Sequence, residues 1–130
     1  MARAYTIATT ALTLDVPAKW LDNTLSHMSV PGVQQERQGV ARRISIDGML
    51  ILGIAALLID ELSMPLAAAI EMAEGLARNS GEYTTGEGVG IRLDLEGLRL
   101  RLLARLENAV EIAPLPKRGR PPKSKTGRLD

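Results

Sequence analysis

The residues with the most legible chemistry are cationic and close together: Lys117-Arg118-Gly119-Arg120-Pro121-Pro122-Lys123. Two guanidinium groups flank a glycine, prolines hold the backbone extended, and lysines stand on either side. The narrow minor groove of A·T-rich DNA concentrates negative potential and draws arginine into it. Gly119 has no Cβ, so the backbone can approach the groove floor while Arg118 and Arg120 point in opposite directions along it. Such a peptide needs no fold of its own, and a disordered basic tail is expected. Charge runs at termini also serve simply as solubilising tails, but the glycine and proline placement favours the groove.

A second polar set needs a scaffold. Lys19, Asn23, Ser26 and His27 share the outward face of an expected helix, with Asp22 among them. Asn23 can bond adenine N6 and N7, while Lys19 and Ser26 suit phosphate oxygens. Arg37, Arg42 and Arg43 follow on an expected hairpin, where they would hold the DNA backbone or reach an adjacent minor groove. Each residue alone also fits a solvated surface. Enzyme chemistry is not expected. His27 is the only histidine and has no obvious nucleophile beside it. Asp60-Glu61 and Glu71 with Glu74 lie at helix ends or at helical spacing, which fits solvated faces better than an acid/base pair. No metal-ligand spacing occurs, and no cofactor is implied.

The elements that must position these groups are bounded by composition. The chain has 130 residues and no cysteine, so one domain, with or without an appendage, is expected in a reducing compartment. A cytoplasmic location follows, with no room for a signal peptide before the first periodic segment. The longest apolar run, Met49 to Ile59, falls short of the roughly 20 residues that span a bilayer, and predicts a buried core helix. Phenylalanine is absent and the aromatic residues are Tyr5, Trp20 and Tyr83, so the core must be aliphatic and base-stacking platforms are not expected.

Charge is divided along the chain. Residues 1–46 carry five basic and three acidic side chains, residues 47–113 five and eleven, and residues 114–130 six and one. Polyanion contact is therefore expected from the two ends, while the acidic middle packs, dimerises or meets a protein.

Thr6 can cap a helix through Leu14 with Ile7, Ala8, Ala11 and Leu12 inward. After Asp15-Val16-Pro17, where Asp15 or the Val16 backbone can serve as the cap, a second helix runs from Pro17 to about His27, with Trp20, Leu21 and Leu25 apolar. Val30-Pro31-Gly32-Val33 leaves that helix, and Gln34 to Ile44 reads as a polar hairpin turning near Gln38-Gly39. Ser45 and Asp47 cap the apolar helix, and Ser63-Met64-Pro65 starts another through about Arg78. Residues 79–90 are polar and glycine-rich, which fits a connector and not a phosphate loop. Ile91, Leu93 and Leu95 alternate as a strand. Beyond them, Leu98, Leu102, Leu106 and Val110 repeat at helical spacing. Leu98, Leu100 and Leu102 also alternate, which leaves a hairpin turning at Glu96-Gly97 open, but length favours a helix, since the pattern continues to Ile112 and Pro114 ends it. An isolated strand has unsatisfied edges, so pairing with a second copy, a homodimer, competes with packing inside the chain.

The tetrapeptide Arg118 to Pro121 resembles the core of the AT-hook, although Lys117 stands where a proline is usual. The order helix, turn, helix, basic hairpin, two helices resembles the MerR-like and excisionase-type winged helix-turn-helix domains. It is carried by Tyr5-Thr6-Ile7, Ala11, Val16-Pro17, Leu21, Gly39, Arg42-Arg43-Ile44-Ser45 and Leu62-Ser63-Met64-Pro65-Leu66, a little over half the chain. Asp22-Asn23-Thr24 departs from the arginine and aromatic residues usual after the core leucine, so the family's phosphate contacts are not carried onto these positions. The long coiled coil and effector region of full MerR regulators is also missing.

The expected architecture is thus mainly α with small β: a winged helix-turn-helix over 1–78, a connector over 79–90, a strand-helix element over 91–113 for dimerisation or packing, and a basic tail over 114–130. The expected function is DNA binding, with transcriptional regulation as its purpose. The partners would be double-stranded DNA, A·T-rich by preference, and a second copy, with no membrane. Two alternatives are an antitoxin or adaptor whose region 47–113 binds a protein partner, and a nucleoid-associated architectural protein.

Overall fold

The structure is a computed structural model that describes residues 3–35 and 41–113. It is mainly helical, with small antiparallel sheets. Strand β1 (Ala4–Tyr5) leads into helix α1 (Ile7–Leu14) and helix α2 (Ala18–His27), followed by strands β2 (Val33–Gln34) and β3 (Arg43–Ser45). Helices α3 (Ile46–Leu62) and α4 (Leu66–Arg78), strands β4 (Glu82–Thr84) and β5 (Gly90–Arg92), and helix α5 (Leu95–Ile112) complete the order.

Local chemistry starts and stops each helix. The Thr6 hydroxyl accepts the Thr9 N–H at 3.1 Å and opens α1. Asp15 closes it in the left-handed region (φ 56°), with the Val16 N–H bonded to the Ala11 carbonyl at 3.0 Å. Asp15 therefore ends the first helix and does not begin the second, whose N-cap is Pro17. The inward face of α1 also differs from expectation: Thr9, Thr10 and Thr13 are buried, while Leu12 is exposed. The Thr10 and Thr13 hydroxyls each donate to the carbonyl four residues back at 2.8 Å, so they enter the core already satisfied.

Helix α3 is the hub. Its first half is buried on nearly every side, through Met49, Leu50, Ile51, Leu52, Ile54 and Ala55, as expected for a core helix. No helix among the described residues is long and apolar enough to cross a membrane. β3 pairs on both edges, with β1 (Tyr5 opposite Ile44) and with β2 (Val33 opposite Ile44), and Ile44 is fully buried. The pairing with β1 adds a third strand to the expected hairpin.

The hairpin is seated on α3 by two glycines. Val30-Pro31-Gly32-Val33 is a turn with the proline-then-glycine order of type II, closed by the Val33 N–H on the Val30 carbonyl at 3.1 Å, with Gly32 at φ 91°. A Cβ on Gly32 would stand 2.5 Å from the Gly48 nitrogen, and one on Gly48 would stand 2.9 Å from the Gly32 oxygen. Ser45 sits between them, donating its N–H to the Gly32 carbonyl at 2.8 Å and accepting the Gly48 N–H on its hydroxyl at 3.1 Å.

The C-terminal third resolves two open readings. Residues 95–112 form one helix, capped by the Asp94 carboxylate accepting the Gly97 N–H at 3.1 Å. The strand at Ile91 finds its partner inside the chain: β4, within the expected connector, pairs with it antiparallel, Tyr83 opposite Ile91. Edge satisfaction thus no longer calls for a second copy. Tyr83 lies against Gly75 of α4, where a Cβ would meet its ring at 2.5 Å. Helix α5 then folds back on α1 through buried Leu102, Leu106 and Ala109, with Ala109 taking the place expected of Val110.

Gly32→Ala should therefore lower unfolding free energy by about 2 kcal/mol or more, combining a strained φ with a backbone clash. Gly86→Ala, with nothing within 4 Å of its Cβ, should stay within about 0.5 kcal/mol of the parent. Urea denaturation of both variants makes the comparison, and equal stabilities would refute the seating contact.

Candidate nucleic-acid interface

Helix α2 positions the first group of expected residues because its sequence is amphipathic. Leu21, Thr24 and Leu25 are buried, and their positions turn Lys19, Asp22, Asn23, Ser26 and His27 outward, where all five are exposed. Two of these side chains are braced along the helix. The Ser26 hydroxyl donates to the Asp22 carbonyl at 2.8 Å, and His27 Nδ1 lies 2.9 Å from the Asn23 carbonyl oxygen. A carbonyl only accepts, so Nδ1 carries the hydrogen there and Nε2 is the ring nitrogen left for another partner.

From the hairpin side, Arg42 reaches this face. Arg42 Nη1 is 2.8 Å from Asp22 Oδ1, and its Nη2 is 3.4 Å from the Ser26 hydroxyl. Its side chain is only 17% exposed against 61% for Asp22, so the arginine is the held partner and the aspartate the edge that holds it. Arg42 thereby ties β3 to α2 across 20 positions of sequence. Arg42, one of the residues expected at DNA, is thus paired within the protein. Arg43, its neighbour on β3, is exposed.

Between the end of α2 and the hairpin lies a cleft of about 360 Å³, lined by polar Ser26, His27, Ser29, Gln35 and Arg42 over apolar Leu25, Met28, Val30 and Val33. Hydroxyl, imidazole and guanidinium groups line one opening, with the Ser26 hydroxyl and His27 Nδ1 hydrogens already given to backbone carbonyls and Arg42 paired with Asp22. Lys19 and Asn23 lie on the same helix face, outside the cleft. The structure thus brings together Ser26, His27 and Arg42 and leaves Lys19, Asn23 and Arg43 around them. Arg37 and the tail residues Lys117, Arg118, Gly119, Arg120 and Lys123 lie outside the described residues.

The chain matches no known family. No family model, curated protein or solved structure was found to be similar to it. What sequence reasoning missed is the role of Asp22, placed on the outward face but not recognised as one half of the tie between helix and hairpin. No local pattern announces that role, because its partner is 20 positions away in sequence.

A double-mutant cycle on Asp22→Ala and Arg42→Ala should give a coupling of about 0.5–1 kcal/mol, the upper part of the range for exposed pairs because the guanidinium is largely covered. Arg42→Lys should lose most of it, since one ammonium cannot span both Asp22 and Ser26. Additive single variants would show that the two groups do not interact.

Proposed function

We propose that the chain is a DNA-binding regulator of the winged helix-turn-helix kind. In this reading α2 enters the major groove, the β2–β3 hairpin is the wing, and residues 117–123 lie in nearby A·T-rich minor groove. One observation carries it: a polar helix face, Lys19, Asn23, Ser26 and His27, stands beside a hairpin locked to the same helix by Arg42, with a polar cleft between the two. A helix followed by a strand pair in a fixed relation to it is the geometry that lets one reader contact base edges and the other the flanking backbone.

Because Asp22 occupies Arg42, the described face offers few free cations, chiefly Lys19 and Arg43. Residues 114–130 carry six. The tail therefore supplies most of the electrostatic grip and the helix most of the sequence preference. Linking the two raises effective concentration, so weak modules combine into strong binding.

A second copy belongs to the same proposal. Leu103 and Val110 are exposed two turns apart on one face of α5, with exposed Leu100 one turn before Leu103. That apolar surface, and not a strand edge, is the dimer contact, and it would present two α2 helices to a palindromic site. The exposed carboxylates Glu107 and Glu111 beside it support a second reading, in which this surface receives a protein partner, as in an antitoxin or adaptor.

Mobility shifts on duplex DNA test the core of the proposal. Affinity should fall steeply between about 50 and 200 mM salt, and replacing Arg118 and Arg120 with alanine should reduce the log–log slope by about one to two. Asn23→Ala should relax sequence preference with little change in slope. Failure to retard any duplex at low ionic strength overturns the reading, and indifference among A·T-rich sequences points to an architectural role. Sedimentation at micromolar concentration should give a dimer that Leu103→Lys with Val110→Lys converts to monomer, while a parent monomer would remove the second copy.

A further inference from the structure

An apolar groove lies away from the α2 face, between the α1–α2 turn, the middle of α3 and the first half of α5. It measures about 440 Å³, within the range of small-molecule sites. Its walls are apolar, with Leu14 and Trp20 on one side and Ala56 and Leu57 on another. Gly53 also lines it, in the interior of a long helix where glycine costs about 1 kcal/mol relative to alanine. Backbone and ring contacts forbid a side chain at Gly48 and Gly75, whereas a Cβ at Gly53 meets only the flexible end of Leu14, at 3.1 Å. Packing alone does not demand a glycine there; an open groove does.

The mouth carries charges of both signs. Arg101 and Arg105 stand one turn apart on α5, and Asp15 and Asp60 come from the α1–α2 turn and the end of α3. Among the described residues the ion pairs within 4.0 Å are Arg42–Asp22, Arg92–Glu82 and Arg99–Asp47, so none of these four charges is paired. Like charges four apart on a helix repel, and Asp60 near a helix C-terminus faces carbonyl dipoles of its own sign. Groups of both signs thus share one mouth, with no ion pair within 4.0 Å between them.

We propose that this groove binds a small zwitterion with an apolar body, of the amino-acid or short-peptide class. Its carboxylate lies between Arg101 and Arg105, its ammonium group lies toward Asp15 and Asp60, and its aliphatic side chains rest against Trp20, Leu57 and Ala56. The site is separate from the α2 face and stands whether or not the chain binds DNA.

Trp20 is the only tryptophan and lines the groove, so its fluorescence reads occupancy directly. Leucyl-leucine titrated into the full chain should give a saturable change, confirmed by calorimetry as one molecule per chain. Acetylating its amine or amidating its carboxylate should each weaken binding about three- to fivefold, the loss expected for one exposed ionic contact. Arg101→Ala with Arg105→Ala, and separately Asp60→Asn, should do the same while circular dichroism is unchanged. Ala56→Leu should fill the groove and abolish the signal without lowering thermal stability. No saturable response, an acetylated or amidated peptide that binds as tightly as the unmodified one, or undiminished binding by the charge variants would each overturn the proposal.

Discussion

Gly32 and Gly48 touch backbone to backbone, and the angle at which the hairpin leaves the helical core is set by that contact. No side chain fits between the two segments, so the Val30–Val33 turn and the first turn of α3 come as close as main chain allows. Ser45, the last residue of β3 and the cap of α3, bonds to both. Strand and helix are therefore joined with no slack. Ile44, one residue earlier, points into the core and is paired on both edges, which leaves the hairpin no freedom to rotate about its own axis. Everything the hairpin does to α2, including delivery of Arg42 to Asp22, follows from this fixed base.

The electrostatics divide by element. An aspartate on an outward helix face would repel a polyanion, but here its charge is met by an arginine from the neighbouring strand, at the cost of that arginine's own availability. The described part of the chain is therefore closer to neutral on its α2 face than its count of basic residues implies. Helices α3 and α4 together carry five acidic residues against one arginine, while α5 is balanced with three of each sign.

Most of the helical framework was legible because its punctuation is local. Thr6, Ser45 and Asp94 are capping residues followed by apolar periodicity, Pro17 and Pro65 immediately precede helices, and Pro31-Gly32 writes its turn in two letters. The illegible parts depend on distance or on self-satisfaction. Threonines look polar, yet Thr10 and Thr13 bond within their own helix and so enter the core in place of Leu12. Strand β4 hides in a glycine-rich stretch because three residues paired to three others leave no periodicity to read. The tie between Asp22 and Arg42, and the assembly of Trp20, Ala56 and Arg101 around one groove, are products of tertiary folding with no sequence spacing of their own. By contrast, the outward polar set on α2 was readable, since buried Leu21 and Leu25 fix which side of that helix faces out.

Helix α1 is covered by α5, from the far end of the described chain. During synthesis at about 5–20 residues per second, some ninety residues must follow α1 before its cover exists, so the earliest helix waits several seconds on the ribosome for the latest. A chain stalled before Leu95 presents α1 with one flank bare. Late closure of this kind also makes the contact between the two ends a checkpoint: only a polypeptide translated through α5 acquires it.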